Sequence, residues 1–256
     1  MKVQVVKSTQ SPERVVCTAA RGDYYDGFVG ETDFYELMDS VDYDDRHVEL
    51  VKELSNKVAY NQRYINIEAS IASFVEKQLS RGHFGPWEHP QISIAIKGVS
   101  RATMAQITRH RHLTFDVQSQ RYVDFSDKEA IMPRSLEEDD HFSREDGLVD
   151  LPEKVRQKFR QEYEEKTERL FEVYQEMVDE GVPKEDARFL LPIGTPVNMT
   201  LSGNARTMMH VLNLRQKADA QWEIRELSNE IVNVLENWIP YTAHWWAENG
   251  PVKISP

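Results

Sequence analysis

The 256-residue chain has 31 Lys and Arg against 43 Asp and Glu, a formal net charge of -12. Such an excess of acid argues against broad nucleic-acid binding, which needs a basic face for the phosphate backbone, but it allows a small anion in a local basic pocket. Hydrophobic residues make up 40% and charged residues 29%, the proportions of a soluble globular protein. No apolar run is long enough to span a membrane and the first residues lack a signal-peptide core, which predicts a cytoplasmic location. The one cysteine, Cys17, excludes an intrachain disulfide and any cysteine-cluster metal site. Within the small apolar run Val15–Ala20 it reads as a buried thiol rather than a nucleophile.

The chain opens on an alternating segment, Met1–Lys7, that predicts a strand, followed by a polar, aromatic stretch to about Asp45. From Arg46 to Leu79 the apolar residues Val48, Val51, Leu54, Val58, Ile67, Ile71, Phe74 and Val75 recur at helical spacing, with a possible break over Asn61–Asn66. Gly82-His83-Phe84-Gly85-Pro86-Trp87 predicts a loop. Ile92, Ile94 and Ile96 alternate with Ser93, Ala95 and Lys97 as in a strand, and Ser100 is placed to cap a helix through about Thr108. Residues 124–150, rich in Asp, Glu and Ser, predict an exposed excursion on the surface.

A long amphipathic helix is expected from Pro152 to about Glu180, with Val155, Phe159, Tyr163, Leu170, Tyr174 and Met177 as its apolar stripe and Gly181 and Pro183 as its end. A short helix, Lys184–Leu191, follows. Gly203-Asn204 precedes a helix to Arg215, and Asp219 is placed to cap another through Trp238. Helices outnumber strands and do not alternate with them, so the expected class is α+β: a helix-rich single domain over 1–256 around a mostly antiparallel sheet.

Against the acidic background, Arg109-His110-Arg111-His112 and Ser119-Gln120-Arg121-Tyr122 bring three arginines into thirteen residues. Arginine forks match phosphate oxygens in pairs, and Ser119 adds a neutral donor. Two readings stand at this point, a phosphate or nucleotide site and a structural hub of ion pairs. A second group follows far along the chain: Arg188, Asn204, Arg206, His210 and Arg215. Arg206 and His210 share a helix face, whereas spacing alone favours reading Arg215 as a cation suited to a helix C-terminus. His83, Glu88 and His89 match no common zinc spacing, so no metal is expected. The chain has no nucleophile elbow, no Gly-x-Gly-x-x-Gly and no phosphate-binding Walker loop.

Taken together, Arg109-His110-Arg111-x2-Thr114-x4-Ser119-x-Arg121 resembles the signature of the flavin-dependent thymidylate synthases: Arg-His-Arg, two residues, Ser, four residues, Ser, one residue, Arg. Thr114 replaces the first serine. Gly82-His83 with Pro86–His89, Ala187-Arg188 with Leu191-Pro192, and Asn204-Ala205-Arg206 through Asn213-Leu214-Arg215 to Ala220–Arg225 resemble further blocks of the family in the same order. The likeness spans about residues 82–225. It implies the fold of the thymidylate synthase complementing proteins, a homotetramer with active sites shared between subunits, and methylation of dUMP to dTMP. Methylenetetrahydrofolate would give the carbon, FAD would carry the hydride, NADPH would be the reductant, and no enzyme thiol would attack the pyrimidine.

By the same resemblance, Gln106, Arg109, Val117, Gln118, Ser119, Gln120, Arg121, Arg188 and Arg215 would bind dUMP, with Arg215 favouring the ionised uracil. Gly85, Arg109, His110, Arg111, Val117, Asn204, Ala205, Arg206 and His210 would bind FAD, and His83 would line the folate and nicotinamide entrance. Three positions depart from the family pattern: Val117 stands where Glu or Gln is common, Asp116 replaces a neutral polar residue, and His210 occupies a frequent Asn position. Two alternatives remain: a nucleotide-binding regulator without flavin, and a nucleic-acid-binding module, which the net charge disfavours.

Overall fold

The computed structural model describes residues 1–54, 62–137, 141–143, 147–149 and 151–250. In chain order the elements are β1 (Lys2–Ser8), α1 (Pro12–Gly22), α2 (Phe34–Met38), α3 (Asp45–Leu54), α4 (Gln62–Ser80), β2 (Gln91–Ser100), α5 (Arg101–Ile107) and β3 (Thr114–Val117). Then come β4 (His141–Ser143), β5 (Gly147–Val149), α6 (Glu153–Asp179), α7 (Lys184–Ala187), β6 (Pro196–Asn204), α8 (Ala205–Arg215), α9 (Trp222–Trp238) and α10 (Pro240–Asn249). They form two compact units, each assembled from three separate stretches of chain. That interleaving explains why no linker is visible in the composition.

The first unit takes Met1–Val6, Ser93–Ser202 and Leu214–Glu230. Its centre is a four-stranded sheet in the order β1-β2-β6-β3, in which β3 and β6 pair antiparallel with Val117 opposite Met199. The α+β class is thus as expected. Alternation produces the buried face: Ile94 and Ile96 on β2 and Val197, Met199 and Leu201 on β6 are all excluded from solvent. β2 runs directly into α5, and the Ser100 side chain accepts from Thr103 N, as its position predicted. α6 packs against α7 and the 3-10 turns Arg134–Leu136 and Arg188–Leu190.

The second unit takes Lys7–Ile92, Gly203–Asn213 and Ile231–Pro256. Here α1, α2, α3 and α10 pack around α4, whose Ile67, Ile71, Phe74, Val75 and Leu79 are buried. α4 ends at Gly82, which takes φ 76; Gly82 N donates to Leu79 O and His83 N to Gln78 O. That paired return satisfies the last carbonyls of the helix and sets the start of the loop that follows.

Several local expectations change. α4 runs unbroken through Gln62–Asn66, so no break lies there, and Asn61 falls outside the described residues. In the segment 124–150, Phe125 is fully buried and Ile131 N donates to Gly194 O, so its first part is packed rather than an exposed excursion; beyond residue 137 only β4 and β5 are described, as an antiparallel pair. On α6, Phe159 is exposed while Arg156, Phe171 and Tyr174 are buried, so the covered face is offset from the one that the spacing through Phe159 marks. α9 is capped by Gln221, whose Oε1 accepts from Glu223 N and Ile224 N, and not by the exposed Asp219. The helices α1, α2 and α10 carry no prior expectation, although Pro12 in the first turn of α1 and Pro240 in that of α10 are ordinary start signals.

Candidate active site

In the first unit, α5 and the turn after it deliver the arginine cluster. The helix closes at Ile107, His110 N returns to Ile107 O, and Leu113 N returns to His110 O before β3 begins. This tight path leaves Arg109 and Arg111 exposed and buries His110. The imidazole is turned inward, where its Nε2 accepts from Arg215 Nε at 2.9 Å. Arg215 Nη2 also donates to Gln106 O at 3.3 Å. One guanidinium therefore grips both the helix end and the turn after it. Burial, and then the charge of nearby Arg109, push the Arg215 pKa below the usual arginine value.

After β3 the chain turns through Ser119, whose Oγ accepts from Arg121 N at 3.2 Å and keeps its own proton for a further acceptor. Gln118 is tied into the sheet: its N donates to Asn198 O, and its Oε1 accepts from Asn198 N. Val117 is half-buried on β3, with an apolar side chain that leaves only backbone groups for polar contact. Gln120 is buried, and its Nε2 has no hydrogen-bond partner among the described residues. A buried donor without an acceptor is costly, so this amide is poised for one. Asp116 is exposed and lines, with Lys2, Lys97 and Thr200, a groove on one face of the sheet.

Arg121 forms an ion pair with Glu185 on α7, both Nε and Nη2 lying 2.7 Å from Oε2. Arg188, just beyond α7, donates from Nε to Glu185 O at 3.0 Å. Arg101, which the sequence reading passed over, joins this group. Burial and the charge of Arg188 both lower its pKa. No spacing rule links residue 101 to 188; the two meet because Arg101 N and Ala102 N donate to Thr195 O and Ile193 O.

In the second unit, Asn204 Oδ1 accepts from Thr207 N and so caps α8, while Ala205 N donates to Pro90 O. Ala205 is buried, Arg206 forms an ion pair with Glu88, and His210 stands one turn further on the same face, exposed. Gly85 opens the 3-10 turn Gly85–Glu88; no heavy atom stands within 4 Å of where its Cβ would be, so backbone there is open to close approach. The turn is pinned by buried Trp87, whose Nε1 donates to Thr242 Oγ1 at 2.9 Å. His83 is exposed at its entrance.

Thr242 leads to a buried carboxyl absent from the sequence reading. Glu13 Oε1 accepts from Thr242 N at 2.7 Å and Thr242 Oγ1 at 2.8 Å, and Oε2 accepts from Tyr241 N. Burial raises its pKa to about 7, outweighing those hydrogen bonds. Burial likewise pushes the Cys17 thiol well up, in line with an inert role. Among the described residues no cluster of His, Cys, Asp and Glu fits a metal ion, and no helix is long and apolar enough to cross a membrane.

The donor set suits phosphate-bearing ligands. The ion pairs of the described residues engage Arg121 and Arg206 but leave Arg109, Arg111 and Arg215 without a carboxylate. Guanidiniums without a carboxylate, a serine hydroxyl and a buried amide donor without an acceptor are groups that can hold phosphate oxygens. The model of the thymidylate synthase complementing protein family matches residues 4–241, and the chain belongs to that family of flavin-dependent thymidylate synthases. It is 39% identical over 255 residues to the flavin-dependent thymidylate synthase of Halobacterium salinarum, covering 96% of this chain and 95% of that one. The corresponding protein of Haloarcula marismortui is 38% identical over 257 residues, with 97% and 96% covered. Among solved structures, PolB of Streptomyces cacaoi, a UMP/dUMP methylase bound with 5-Br dUMP, shares the fold with a TM-score of 0.74 at 20% identity, covering 98% of this chain and 96% of that one.

Proposed function

We propose that the protein catalyses the reductive methylation of dUMP to dTMP, with methylenetetrahydrofolate as carbon donor, FAD as hydride carrier and NADPH as reductant, in a homotetramer whose active sites are shared between subunits. The observation that carries this reading is the Arg215 guanidinium, held by His110 Nε2 and Gln106 O beside Arg109 and without a carboxylate partner among the described residues. A fixed, partly desolvated cation of this kind stabilises negative charge developing on a uracil ring, the role assigned to Arg215. Gln106, Arg109, Gln118, Ser119, Gln120, Arg121 and Arg188, with the backbone of Val117, are assigned to dUMP. Ser119 Oγ, the Gln120 amide and the arginines supply donors for its phosphate and base.

Gly85, Arg109, His110, Arg111, Val117, Asn204, Ala205, Arg206 and His210 are assigned to FAD. The exposed guanidiniums and the open backbone at Gly85 fit a dinucleotide with a pyrophosphate. When bound, flavin would supply the hydride chemistry that amino-acid side chains lack. His83 is assigned to the entrance used by folate and nicotinamide. With Cys17 buried, no thiol is available as a nucleophile, so activation falls to electrostatics.

The test is an assay with dUMP, methylenetetrahydrofolate, FAD and NADPH, following dTMP. Product that depends on each component is the expected result; a folded, flavin-loaded protein that makes none overturns the reading. Purification as a yellow protein with flavin absorbance separates it from a nucleotide-binding regulator.

A further inference from the structure

Glu223, in the first turn of α9, is 3% exposed, and its carboxyl is directed at the start of α5. Oε1 accepts from Ser100 N at 2.6 Å, and Oε2 accepts from the Ser100 hydroxyl and from Thr103 Oγ1, the latter at 2.7 Å. Ser100 Oγ in turn accepts from Thr103 N at 3.0 Å. The backbone that carries the carboxyl is itself held: Gln221 Oε1 accepts from Glu223 N at 3.0 Å and Ile224 N at 3.1 Å. Ser100 Oγ takes Thr103 N, and Thr195 O and Ile193 O take Arg101 N and Ala102 N, so the helix N-terminus is satisfied without the carboxyl, and a buried carboxyl is expensive unless its geometry is used. Three donors on two oxygens make a rigid joint, stronger than capping requires.

The far end of the same helix is held by the same stretch of chain. Arg215, eight residues before Glu223, donates to Gln106 O and to His110. The stretch 215–223 thus clasps α5 at both ends, over a helix only about 10 Å long. A slip at the Ser100 end moves Gln106 and His110, and with them the two acceptors that aim Arg215.

We propose that Glu223 is a positioning residue of the nucleotide site: by holding Ser100 and Thr103 it sets the register of α5, and hence where Gln106, His110 and the Arg215 guanidinium stand. This rests on the reading of α5 and Arg215 as part of the dUMP site. Glu223 touches no substrate in this account; it acts through α5.

Glu223→Gln keeps the shape but replaces one acceptor oxygen by an amino group that must face the Ser100 N–H or the two hydroxyls. Thr103→Val removes one hydroxyl at constant volume, and Thr103→Ser keeps it. The expected result for flavin-loaded Glu223→Gln, folded at the assay temperature, is a kcat for dTMP formation lower by about a hundred-fold, the cost of a small misplacement of a catalytic group. Thr103→Val falls in the same direction by less, Thr103→Ser recovers wild-type turnover, and Glu223→Gln with Thr103→Val is no worse than Glu223→Gln alone.

A kcat for folded Glu223→Gln within about two-fold of wild type makes the residue a cap only and overturns the proposal. Should that variant fail to fold, equal turnover in Thr103→Val and Thr103→Ser overturns it instead. A wild-type chain that makes no dTMP defeats the function reading alone. The joint is then read by hydrogen exchange of amides 102–110: faster exchange in Thr103→Val than in Thr103→Ser supports it, and equal exchange overturns it.

Discussion

Arg215 Nε donates to His110 Nε2 at 2.9 Å, so the imidazole meets the guanidinium with a lone pair and keeps its proton on Nδ1. A histidine taken from sequence as a flavin contact therefore also orients the cation assigned to the uracil. His110→Ala leaves the Arg215 donor unsatisfied in a partly buried place, at about 1–3 kcal/mol. Turnover with dUMP is expected to fall at least about ten-fold with part of the flavin retained. Unchanged kcat in a flavin-loaded variant would show that Gln106 O alone fixes Arg215.

Arg215→Ala separates the two roles open to this residue. As an electrostatic activator, its loss abolishes methylation while visible flavin absorbance persists. Parallel loss of flavin and activity would instead mark Arg215 as structural. Arg215→Lys is expected to recover little, since a point charge cannot fork to His110 and Gln106 together.

The Arg121–Glu185 pair is half exposed, at 52% and 48%, and such pairs contribute about 0–1 kcal/mol. Arg121 must give up part of it to hold a phosphate. Glu185→Gln is thus expected to leave the thermal midpoint nearly unchanged and to lower the KM for dUMP a few-fold, most clearly at low salt. A higher KM would mean that Glu185 aims Arg121 rather than competes for it.

Ser119→Ala removes one neutral donor and no charge. Weaker dUMP binding, by about 1 kcal/mol, with turnover retained at saturating dUMP is expected. Inactivity with dUMP fully bound would contradict a purely binding role.

Glu13 predicts a pH dependence of stability. Its folded pKa of about 7 lies above the usual 4.5, so folding favours the protonated form. Its contribution is complete below about pH 4.5 and is lost as pH rises through 7, on the order of 3 kcal/mol in all. In Glu13→Gln, which cannot ionise, the decline of the thermal midpoint between pH 5 and 8 is expected to be shallower than in wild type. Equal slopes would place that decline elsewhere.

What could be read from sequence was local. The β2 alternation, the Ser100 cap, the end of α4 at Gly82 and the α8 start at Asn204 each depend on neighbours within a few residues, and each is present. What could not be read depends on distant partners. Glu223 meets Ser100 across 123 positions, Glu13 meets Thr242 across 229, and Arg121 meets Glu185 across 64. Phe159 and Phe171 lie on one long helix and look alike in sequence; only the course of the neighbouring chain decides which is buried. The arginines were legible as a cluster because a run of like charge is conspicuous, but the inward turn of His110 was not.

The interleaved construction of the two units bears on how the chain is made. Each unit borrows a stretch near the C-terminus: Leu214–Glu230 completes the first, Ile231–Pro256 the second. Emerging from the ribosome, the nascent polypeptide carries β1 and α1 long before the segments that enclose them exist. Neither unit can close during most of synthesis, so the apolar faces of β2 and α4 wait exposed, and a chain stopped before α10 would lack Thr242 and leave Trp87 Nε1 and the Glu13 carboxyl without that buried partner.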